Sequence, residues 1–459
     1  MDGKFQVAVL GAGPAGFAAA VRAAQLGLSA CIIEQEKMGG VCLNHGCIPT
    51  KFLVRVAKGL EGLKHFKELG IDLEKVNFDF NSCQSKKNAV IAQLTKGMNF
   101  ILKKRGVEII YGRGRILDEN TLLIEDRKIK FDNCIIAVGS RPAESAQIGF
   151  HAASGVISSR ELLDAEAVPA SLLIIGGGVI GCEFAYIFSC LGAKVTVVEL
   201  MPQLLPAEDE DLSRVLTLDF KKRGINIVTK THVVRVEDCG SNINKVVLST
   251  GEEIRAEKIL LSIGRIPNSD RIDVEKLVNI AQDKGKILVD EHMRTNVKNF
   301  YAAGDVTGKT FLAHVASREG IVAAENIAGI NRKMDYEAIP RCVYTEPQVA
   351  SVGINEKQAG IQSISVKIGK FPYSACGKAV LEGKTLGFIK LITQAKDGKI
   401  LGASIYGKNA AELITEICVA MKAGFTADAL GEVIHTHPTF SEIVMEASES
   451  VNGRAINIL

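Results

Sequence analysis

The chain has 459 residues, enough for about three domains of roughly 150 residues each. Lys and Arg number 55 against 52 for Asp and Glu, a formal charge of +3, and with no Trp and 5% aromatic residues the composition argues against a nucleic-acid binder. Apolar residues make up 47% of the chain, too many for a disordered protein. No uninterrupted apolar stretch reaches about 18 residues, so no membrane association is expected.

The start of the chain and its cysteines bear on location. The first residues contain no apolar segment of the signal-peptide type and run directly into a glycine motif. The 11 Cys are odd in number and scattered, unlike the disulfide framework of a small secreted domain. We therefore expect a soluble, cytoplasmic protein.

The first motif of the chain is a strand, a glycine turn, a helix and a second strand. An apolar run at 5–10 precedes the turn, and a helix is predicted to about Leu26. The glycines of the turn are Gly11, Gly13 and Gly16, and the second strand, 30–33, ends at the acidic residue Glu34. This is the pattern of a βαβ unit that binds a dinucleotide.

A second copy of the same motif follows an apolar run at 172–175. Its glycines are Gly176, Gly178 and Gly181, and its second strand, 194–198, ends at Glu199. In both copies the acidic residue lies 23 positions after the first glycine (34 − 11 and 199 − 176). The first glycine permits the tight turn, the second lets the backbone approach a pyrophosphate, and the third lets helix and strand pack closely. Two copies with equal spacing predict two dinucleotide sites.

The remainder of the chain completes the predicted architecture. Apolar strands that end in glycine recur at 134–139, 259–264 and 300–304. From about residue 336 onward the glycine motif is absent, and strands at 363–371, 387–393 and 401–406 precede an amphipathic helix at 410–423. The expected fold class is α/β, with two doubly wound dinucleotide-binding domains and a C-terminal α+β domain.

Cys42 and Cys47 form a candidate redox pair. Five positions along a regular helix place two Cα atoms about 8–9 Å apart, whereas a disulfide needs less than about 7 Å. Gly46 and Pro49 supply the means for the necessary backbone distortion. Two buried thiols or a zinc site are the alternatives, although no second cysteine pair stands at ligand spacing. The position eight residues after Glu34 favours a redox pair beside a bound cofactor.

His437 and Glu442 form a second candidate site near the C-terminus. A His with a carboxylate five residues later suits a general base and the residue that orients it. His435 and His437 could together bind a metal, but no third ligand of the usual kind is close in sequence, so no metal is expected. An exposed loop with solvated side chains is the other alternative, and these residues alone leave the choice open.

Taken together, the motifs resemble the FAD-dependent pyridine nucleotide–disulfide oxidoreductases from about Val7 to Ala447. The resemblance is strongest to the branch that oxidises dihydrolipoyl groups and reduces NAD. The segments that carry it are GGVCLNHGCIPTK at 39–51, IIAVGSRP at 135–142, GGGVIGCE at 176–183, AGDV at 303–306, LAHVASREG at 312–320, VYTEPQVASVG at 343–353 and HTHPTFSE at 435–442.

The resemblance implies two nucleotide cofactors and residues for each. FAD would be held by Gly11, Gly13, Gly16, Glu34, Lys51, Gly114, Ser140, Asp305 and Ala313. NAD would be held by Gly176, Gly178, Gly181, Glu183, Glu199 and Gly264. The implied domains are an FAD-binding domain in two parts, 1–145 and 269–335, an NAD-binding domain, 146–268, and a C-terminal dimerisation domain, 336–459.

The resemblance also implies the catalytic residues and the partners. Cys42 would be the interchange sulfur, Cys47 the thiolate beside the flavin, and His437, held by Glu442, the base that takes the proton of the substrate thiol. The family builds each active site from both subunits of a homodimer. The electron donor would be the lipoyl domain or lipoyl carrier protein of a 2-oxoacid dehydrogenase or glycine-cleavage system.

Several features separate this reading from the alternatives. Glu199 accepts hydrogen bonds from a ribose 2′-hydroxyl but repels a 2′-phosphate, and residues 200–203 contain no Arg or Lys, which favours NAD over NADP. This counts against a glutathione-reductase-like enzyme, and the C-terminus lacks the cysteine pair of mercuric reductases. A non-catalytic redox sensor is the remaining alternative. His45 and Val138 depart from the family pattern, which has Val and often Thr at these places.

Overall fold

The computed structural model describes residues 4–63, 65–145, 155–240, 243–272 and 279–459. A seven-stranded sheet organises the first part of the chain, and its central strands are parallel. Its strands are Lys4–Leu10, Ala30–Glu34, Glu108–Tyr111, Gly114–Asp118, Thr121–Ile124, Arg127–Ile136 and Phe300–Ala302. The late strand Phe300–Ala302 pairs with Arg127–Ile136, so the chain returns to this sheet after building a second one.

The second sheet repeats the parallel design of the first. Its five strands, in spatial order, are Asn226–Val228, Lys194–Val198, Ser171–Ile175, Lys258–Leu261 and Val156–Ile157. A three-stranded antiparallel sheet adjoins it, formed by Val233–Asp238, Asn244–Leu248 and Glu253–Ala256. The short strand Arg265–Pro267 pairs with Ser140–Pro142, and the strand pair Gln282–Asp283 and Lys286–Ile287 follows in sequence.

Helices of these two units flank the sheets. The first βαβ unit contains Pro14–Gln25, which packs against Ala313–Ile327, and the second contains Val179–Cys190. The other described helices of these parts are Gly40–His45, Cys47–Leu63, Phe80–Lys104, Ser159–Leu163 and Glu210–Lys222, with short 3₁₀ turns at Phe66–Leu69, Ser269–Arg271 and Asp305–Thr307. Both βαβ units therefore form as the sequence predicts.

The C-terminal part is a separate antiparallel sheet covered by helices. Its strands are Arg341–Val343, Gln348–Gly353, Val366–Pro372, Phe388–Gln394 and Ile400–Gly407. Its helices are Glu356–Ile361, Gly377–Leu381, Ala410–Ala423, Ala427–Gly431 and Glu442–Ser450, with a 3₁₀ turn at Tyr373–Ala375. The predicted helix 410–423 is confirmed, and each of the three predicted strands is present with its ends shifted by a few residues. The α/β fold class is confirmed.

One hydrophobic cluster joins the three parts of the molecule. It contains Leu53 and Ala57 of the helix Cys47–Leu63, Phe184 and Phe188 of the second βαβ unit, and Tyr406 of the C-terminal sheet. Because these apolar side chains exclude water together, the helix that begins at Cys47 is fixed against both neighbours. Among the described residues, no helix has the length and apolar character required to cross a bilayer.

Candidate active site

The three glycines of the first loop have different surroundings. Gly11 has φ +102°, and an added Cβ would lie 2.4 Å from the carbonyl oxygen of Ala137. At Gly16 the Cβ would lie only 1.8 Å from the oxygen of Gly11, so no larger residue fits. At Gly13, by contrast, the Cβ would meet nothing within 4 Å. The open space at Gly13 lies at the uncapped N-terminus of the helix Pro14–Gln25, where anions bind.

The second glycine loop repeats this geometry. Gly176 has φ +105°, and a Cβ there would lie 2.5 Å from the oxygen of Ser262. At Gly181 the Cβ would lie 1.9 Å from the oxygen of Gly176, whereas at Gly178 it would meet nothing within 4 Å. The helix Val179–Cys190 also begins without a side-chain cap. Both loops therefore present backbone N–H groups to free space of the kind that a pyrophosphate fills.

Each loop is braced by the acidic residue at the end of its second strand. Glu34 accepts hydrogen bonds from the N–H of Ala12 (2.9 Å) and of Glu36 (2.8 Å). Glu199 accepts them from the N–H of Gly177 (2.6 Å) and of Met201 (2.7 Å). Burial raises the pKa of Glu34 above its ordinary value, although these backbone hydrogen bonds oppose the shift. The sequence predicted the ribose-binding position of both carboxylates but not this second task.

The cysteine pair lies where one helix stops and the next begins. Gly40–His45 ends at Gly46, whose φ of −148° and ψ of −112° are far from helical, and Cys47 opens the helix Cys47–Leu63. The predicted break at Gly46 is therefore present. Both cysteines are free thiols in this structure, and their sulfurs are close enough to hydrogen-bond to each other. The break thus brings together two sulfurs that a continuous helix would separate.

The two thiols differ in acidity. The hydrogen bond from Cys42 lowers the pKa of Cys47 from 9.0 to about 7, with Lys51 acting in the same direction and burial opposing it. The same hydrogen bond, together with burial, raises the pKa of Cys42. A thiolate at the first residue of a helix is also favoured by the helix dipole. Cys47 is therefore the more acidic of the two thiols, with Cys42 as its hydrogen-bond donor.

A buried ion pair connects the redox helix with the second βαβ unit. Lys51 Nζ lies 2.9 Å from both carboxylate oxygens of Glu183, whose side chain is only 4% exposed. The N–H of Tyr344 donates to Glu183 Oε1 (2.9 Å), and Lys51 Nζ lies 4.6 Å above the centre of the Tyr344 ring. Burial alone would lower the pKa of Lys51, but the charges of Glu183 and Cys47 outweigh it and raise that pKa. Lys51 thus stays cationic beside Cys47.

Ser140 and Asp305 meet at the edge of the first sheet. Ser140 Oγ donates to Asp305 Oδ2 (2.5 Å), and burial raises the pKa of Asp305 against that hydrogen bond. Arg265 donates to Ser140 Oγ and to the Ser140 carbonyl oxygen, both at 2.7 Å. Sequence reasoning missed Arg265, and its place directly after Gly264 in a glycine-ended strand was the available signal. Ala313 begins the helix Ala313–Ile327, which has no side-chain cap.

Two further glycines of the predicted cofactor sites occupy different environments. At Gly114 an added Cβ would lie 2.4 Å from Leu10 Cδ1, so this glycine keeps the strand close to the first βαβ unit. Gly264 has φ +125° and open space around the position of a Cβ. The open glycines, uncapped helix ends and buried carboxylates of both units fit two dinucleotides.

His437 and Glu442 are in direct contact. His437 Nδ1 lies 2.7 Å from Glu442 Oε1, and the N–H of Thr439 donates to Glu442 Oε2 (2.8 Å). These hydrogen bonds outweigh burial and lower the pKa of Glu442. The carboxylate therefore orients the imidazole and leaves Nε2 free to face a substrate.

The two histidines of this segment have different surroundings. His435 is 5% exposed and bound at both nitrogens, to Glu416 Oε1 and to the carbonyl oxygen of Val433, each at 2.7 Å. His437, in contrast, is 77% exposed. Within the described part of the chain, its hydrogen-bond partner is Glu442 and not either cysteine of the pair. The exposed imidazole of His437 is therefore the one of the two that a second molecule can reach.

The described residues contain one carboxylate cluster with the spacing of a metal site. It consists of Asp209, Asp211 and Glu356. Lys390, 2% exposed, places its ammonium between them, 2.6 Å from Asp209 Oδ1, 3.2 Å from Asp211 Oδ2 and in contact with Glu356. The cluster is thus an ion-pair network that ties the helix Glu210–Lys222 to the C-terminal sheet.

Comparisons with known proteins agree with this geometry. Residues 5–320 match the family model described as pyridine nucleotide-disulphide oxidoreductase, and residues 339–448 match the dimerisation domain of the same family. The dihydrolipoyl dehydrogenase of Geobacillus stearothermophilus is 40% identical over 457 residues, covering 98% of this chain and 97% of that protein.

Two solved structures are similar over almost the whole chain. LpdA of Mycobacterium tuberculosis superposes with a TM-score of 0.90 at 25% identity, covering 96% of this chain and 98% of that one. The Cu(II) complex of the HOCl-induced flavoprotein disulfide reductase RclA of Escherichia coli superposes with a TM-score of 0.88 at 28% identity, covering 97% and 99%.

Proposed function

The chain belongs to the pyridine nucleotide-disulphide oxidoreductase family, and from this premise we propose that it oxidises a protein-bound dihydrolipoyl group and reduces NAD⁺. The dithiol would reduce the Cys42–Cys47 disulfide and leave as lipoyl disulfide. Two electrons and one proton would then pass to NAD⁺, giving NADH and releasing the second proton. The near-full-length similarity to the dihydrolipoyl dehydrogenase of Geobacillus stearothermophilus supports this substrate class.

The observation that carries the proposal is the contact between the sulfurs of Cys42 and Cys47, which the break at Gly46 brings within hydrogen-bond distance. The pKa of Cys47 is lowered to about 7 while that of Cys42 is raised. After reduction, Cys47 would hold the negative charge beside Lys51, and Cys42 would keep its proton and exchange disulfides with the substrate. The ion pair with Glu183 would hold the cation of Lys51 in this position.

Two nucleotides are assigned to the two glycine loops as part of the proposal. FAD, when bound at the first loop, supplies two-electron transfer between a dithiol and a nicotinamide. Its binding residues would be Gly11, Gly13, Gly16, Glu34, Lys51, Gly114, Ser140, Asp305 and Ala313. Those for NAD at the second loop would be Gly176, Gly178, Gly181, Glu183, Glu199 and Gly264. The open geometry at Gly13 and Gly178 supports both assignments.

The choice of NAD over NADP rests on Glu199. Its two oxygens already accept the N–H groups of Gly177 and Met201. A carboxylate fixed in this way retains lone pairs for the hydroxyls of a ribose and would repel a 2′-phosphate at close range.

The proton of the substrate dithiol would go to His437. Glu442 holds the imidazole by Nδ1, so Nε2 is the atom that would accept a proton. Because His437 is exposed and in contact with Glu442 rather than with the cysteines, we propose that it acts in the active site of a second copy. The match to the family's dimerisation domain at 339–448 supports a homodimer.

The remaining parts of the proposal concern organisation and setting. Residues 1–145 and 269–335 would form the FAD-binding domain, 146–268 the NAD-binding domain and 336–459 the dimerisation domain. The electron donor would be a lipoyl domain or lipoyl carrier protein of a 2-oxoacid dehydrogenase or glycine-cleavage system, in the cytoplasm.

Steady-state rates with three thiol substrates test the proposal. Dihydrolipoamide, glutathione and coenzyme A, with their disulfides, are each assayed with NAD(H) and NADP(H), and dihydrolipoamide with NAD⁺ is expected to give the highest kcat/KM. Cys47→Ser should abolish this activity, whereas Cys239→Ser, at an exposed cysteine outside the pair, should retain it. Equal rates with glutathione, or activity in Cys47→Ser, would contradict the proposal.

A further inference from the structure

A cavity of about 960 Å³ lies between the segment that precedes Cys47 and the helix Phe80–Lys104. None of the residues assigned above to FAD, NAD or catalysis lines it. Its size is at the upper end of the range for small-molecule sites, which runs from about 300 to 1,000 Å³. We propose that this cavity binds an organic polyphosphate of the nucleoside-diphosphate class while both dinucleotide sites are filled.

The charge of the lining is the first argument. Lys37, Lys96 and Lys103 line the cavity, and none of the three forms a salt bridge within the described part of the chain. Asp164 is the one acidic residue in the lining, and Lys87 Nζ already lies 3.4 Å from its Oδ1. Three free ammonium groups around one concave surface attract anions, since a cleft concentrates the field of its lining charges.

Two polar side chains of the segment before Cys47 also belong to the lining. Asn44 and His45 line the cavity, and Asn44 Oδ1 and His45 Nδ1 are buried with no hydrogen-bond partner in the described chain. Asn44 is only 6% exposed, and its Nδ2 donates to the carbonyl oxygen of Gly40 (2.9 Å). Both unpartnered atoms have almost no surface open to the cavity, so the lysines and the apolar wall carry the assignment of the ligand. His45 also stands where the family pattern has Val.

The spacing of the cations indicates several phosphate groups. Lys96 and Lys103 are seven residues apart on one helix, which places their Cα atoms about 10 Å apart along its axis. A single phosphate is too small to contact both side chains unless they converge, whereas a diphosphate with its attached sugar has the required length.

The rest of the lining fits an organic group. Ile91 and Ile109 provide apolar walls, and Tyr111 presents an aromatic ring whose hydroxyl donates to Asn99 Oδ1 (3.3 Å). Amide side chains such as Asn88 can pair with the polar edge of a base. Cations at separated points, an apolar wall and the exposed amide of Asn88 together match a nucleotide better than an inorganic anion.

Calorimetric titration of ADP into the FAD-loaded protein in saturating NAD⁺ tests the proposal, because NAD⁺ fills the second glycine loop. We expect one ADP per chain, bound more weakly as salt is added. The double variant Lys96→Gln/Lys103→Gln should weaken binding by about tenfold or more, which corresponds to about 1.4 kcal/mol. The matched variant Lys86→Gln/Lys104→Gln changes two exposed lysines of the same helix that do not line the cavity, and it should bind as the wild type does.

Several results would overturn the proposal. These are the absence of ADP binding in saturating NAD⁺, equal affinities in the two double variants, and release of FAD on binding of ADP. Inorganic tripolyphosphate is the second probe, and binding of tripolyphosphate without binding of ADP would show that the cavity does not take an organic group. These readouts need no turnover, so they are independent of the proposed dehydrogenase activity.

Discussion

The hydrogen bond from Cys42 is expected to be the main reason why Cys47 is acidic. It heads the causes that lower the pKa of Cys47 from 9.0 to about 7, a difference worth about 3 kcal/mol between the two protonation states. Cys42→Ala removes the donor and leaves Lys51 and a backbone hydrogen bond to oppose burial and the charge of Glu183, so the pKa of Cys47 should rise by about two units. Cys42→Ser is the matched control, because its hydroxyl can still donate while neither variant can form the disulfide.

The pH dependence of Cys47 alkylation measures this difference. Iodoacetamide labelling of both FAD-loaded variants, with the Cys47 peptide quantified by mass spectrometry, should give a midpoint near the wild-type value in Cys42→Ser and about two units higher in Cys42→Ala. At pH 7.5 the thiolate fraction would be about three quarters at a pKa of 7 and about one thirtieth at a pKa of 9. The midpoint is the safer readout, since a more basic thiolate is also more nucleophilic. Equal midpoints in the two variants would refute the role of the Cys42 hydrogen bond.

Three further predictions follow from contacts in the two nucleotide units. Lys51→Met leaves the carboxylate of Glu183, 4% exposed, without its cation, and should lower the free energy of unfolding by about 3 kcal/mol in denaturant titrations. Adding Glu183→Gln to this variant should recover part of the lost stability. If the effects of the two substitutions on the free energy of unfolding simply add, the pairing is contradicted. Gly13→Ala should weaken FAD retention but leave the apoprotein folded, as measured by circular dichroism. Gly16→Ala should prevent folding, because its Cβ would lie 1.8 Å from a carbonyl oxygen. Equal effects of the two substitutions on folding would argue against the open space at Gly13. Glu199→Gln should raise the ratio of kcat/KM for NADP⁺ to that for NAD⁺ by about tenfold, which corresponds to about 1.4 kcal/mol. An unchanged ratio would show that the charge of Glu199 does not select NAD⁺.

The fold could be predicted from the sequence where a steric requirement or the apolar periodicity of a local segment determines the backbone. The positive φ of Gly11 and the contact at Gly16 are consequences of a turn that the spacing already specified. The helix at 410–423 follows from its apolar periodicity. The break at Gly46 was expected because a disulfide needs its two Cα atoms closer together than a regular helix allows. These features depend on local sequence and on one well-defined motif.

The parts that sequence reasoning missed depend on contacts between distant segments. Arg265 reaches Ser140 across 125 positions, and Lys390 meets Asp209 across 181. Neither pair has a local pattern, because Arg265 and Ser140 meet only when two distant strands pair, and Lys390 and Asp209 only when the C-terminal sheet meets the start of the helix Glu210–Lys222. The second task of Glu199, as a brace for its own glycine loop, was also hidden, since a spacing rule shows where a carboxylate lies but not which N–H groups it accepts.

The central claim is that electrons pass from a dithiol to NAD⁺ through the Cys42–Cys47 pair. In the most direct test, the FAD-loaded, oxidised protein is mixed anaerobically with one equivalent of dihydrolipoamide per chain. The reaction is then quenched with an alkylating agent, and the alkylated thiols at Cys42 and Cys47 are counted. The account predicts two new thiols per chain, located at these two residues, and their disappearance on addition of NAD⁺ with formation of one NADH. Reduction of NAD⁺ while both cysteines stay unreactive to the alkylating agent throughout would contradict it.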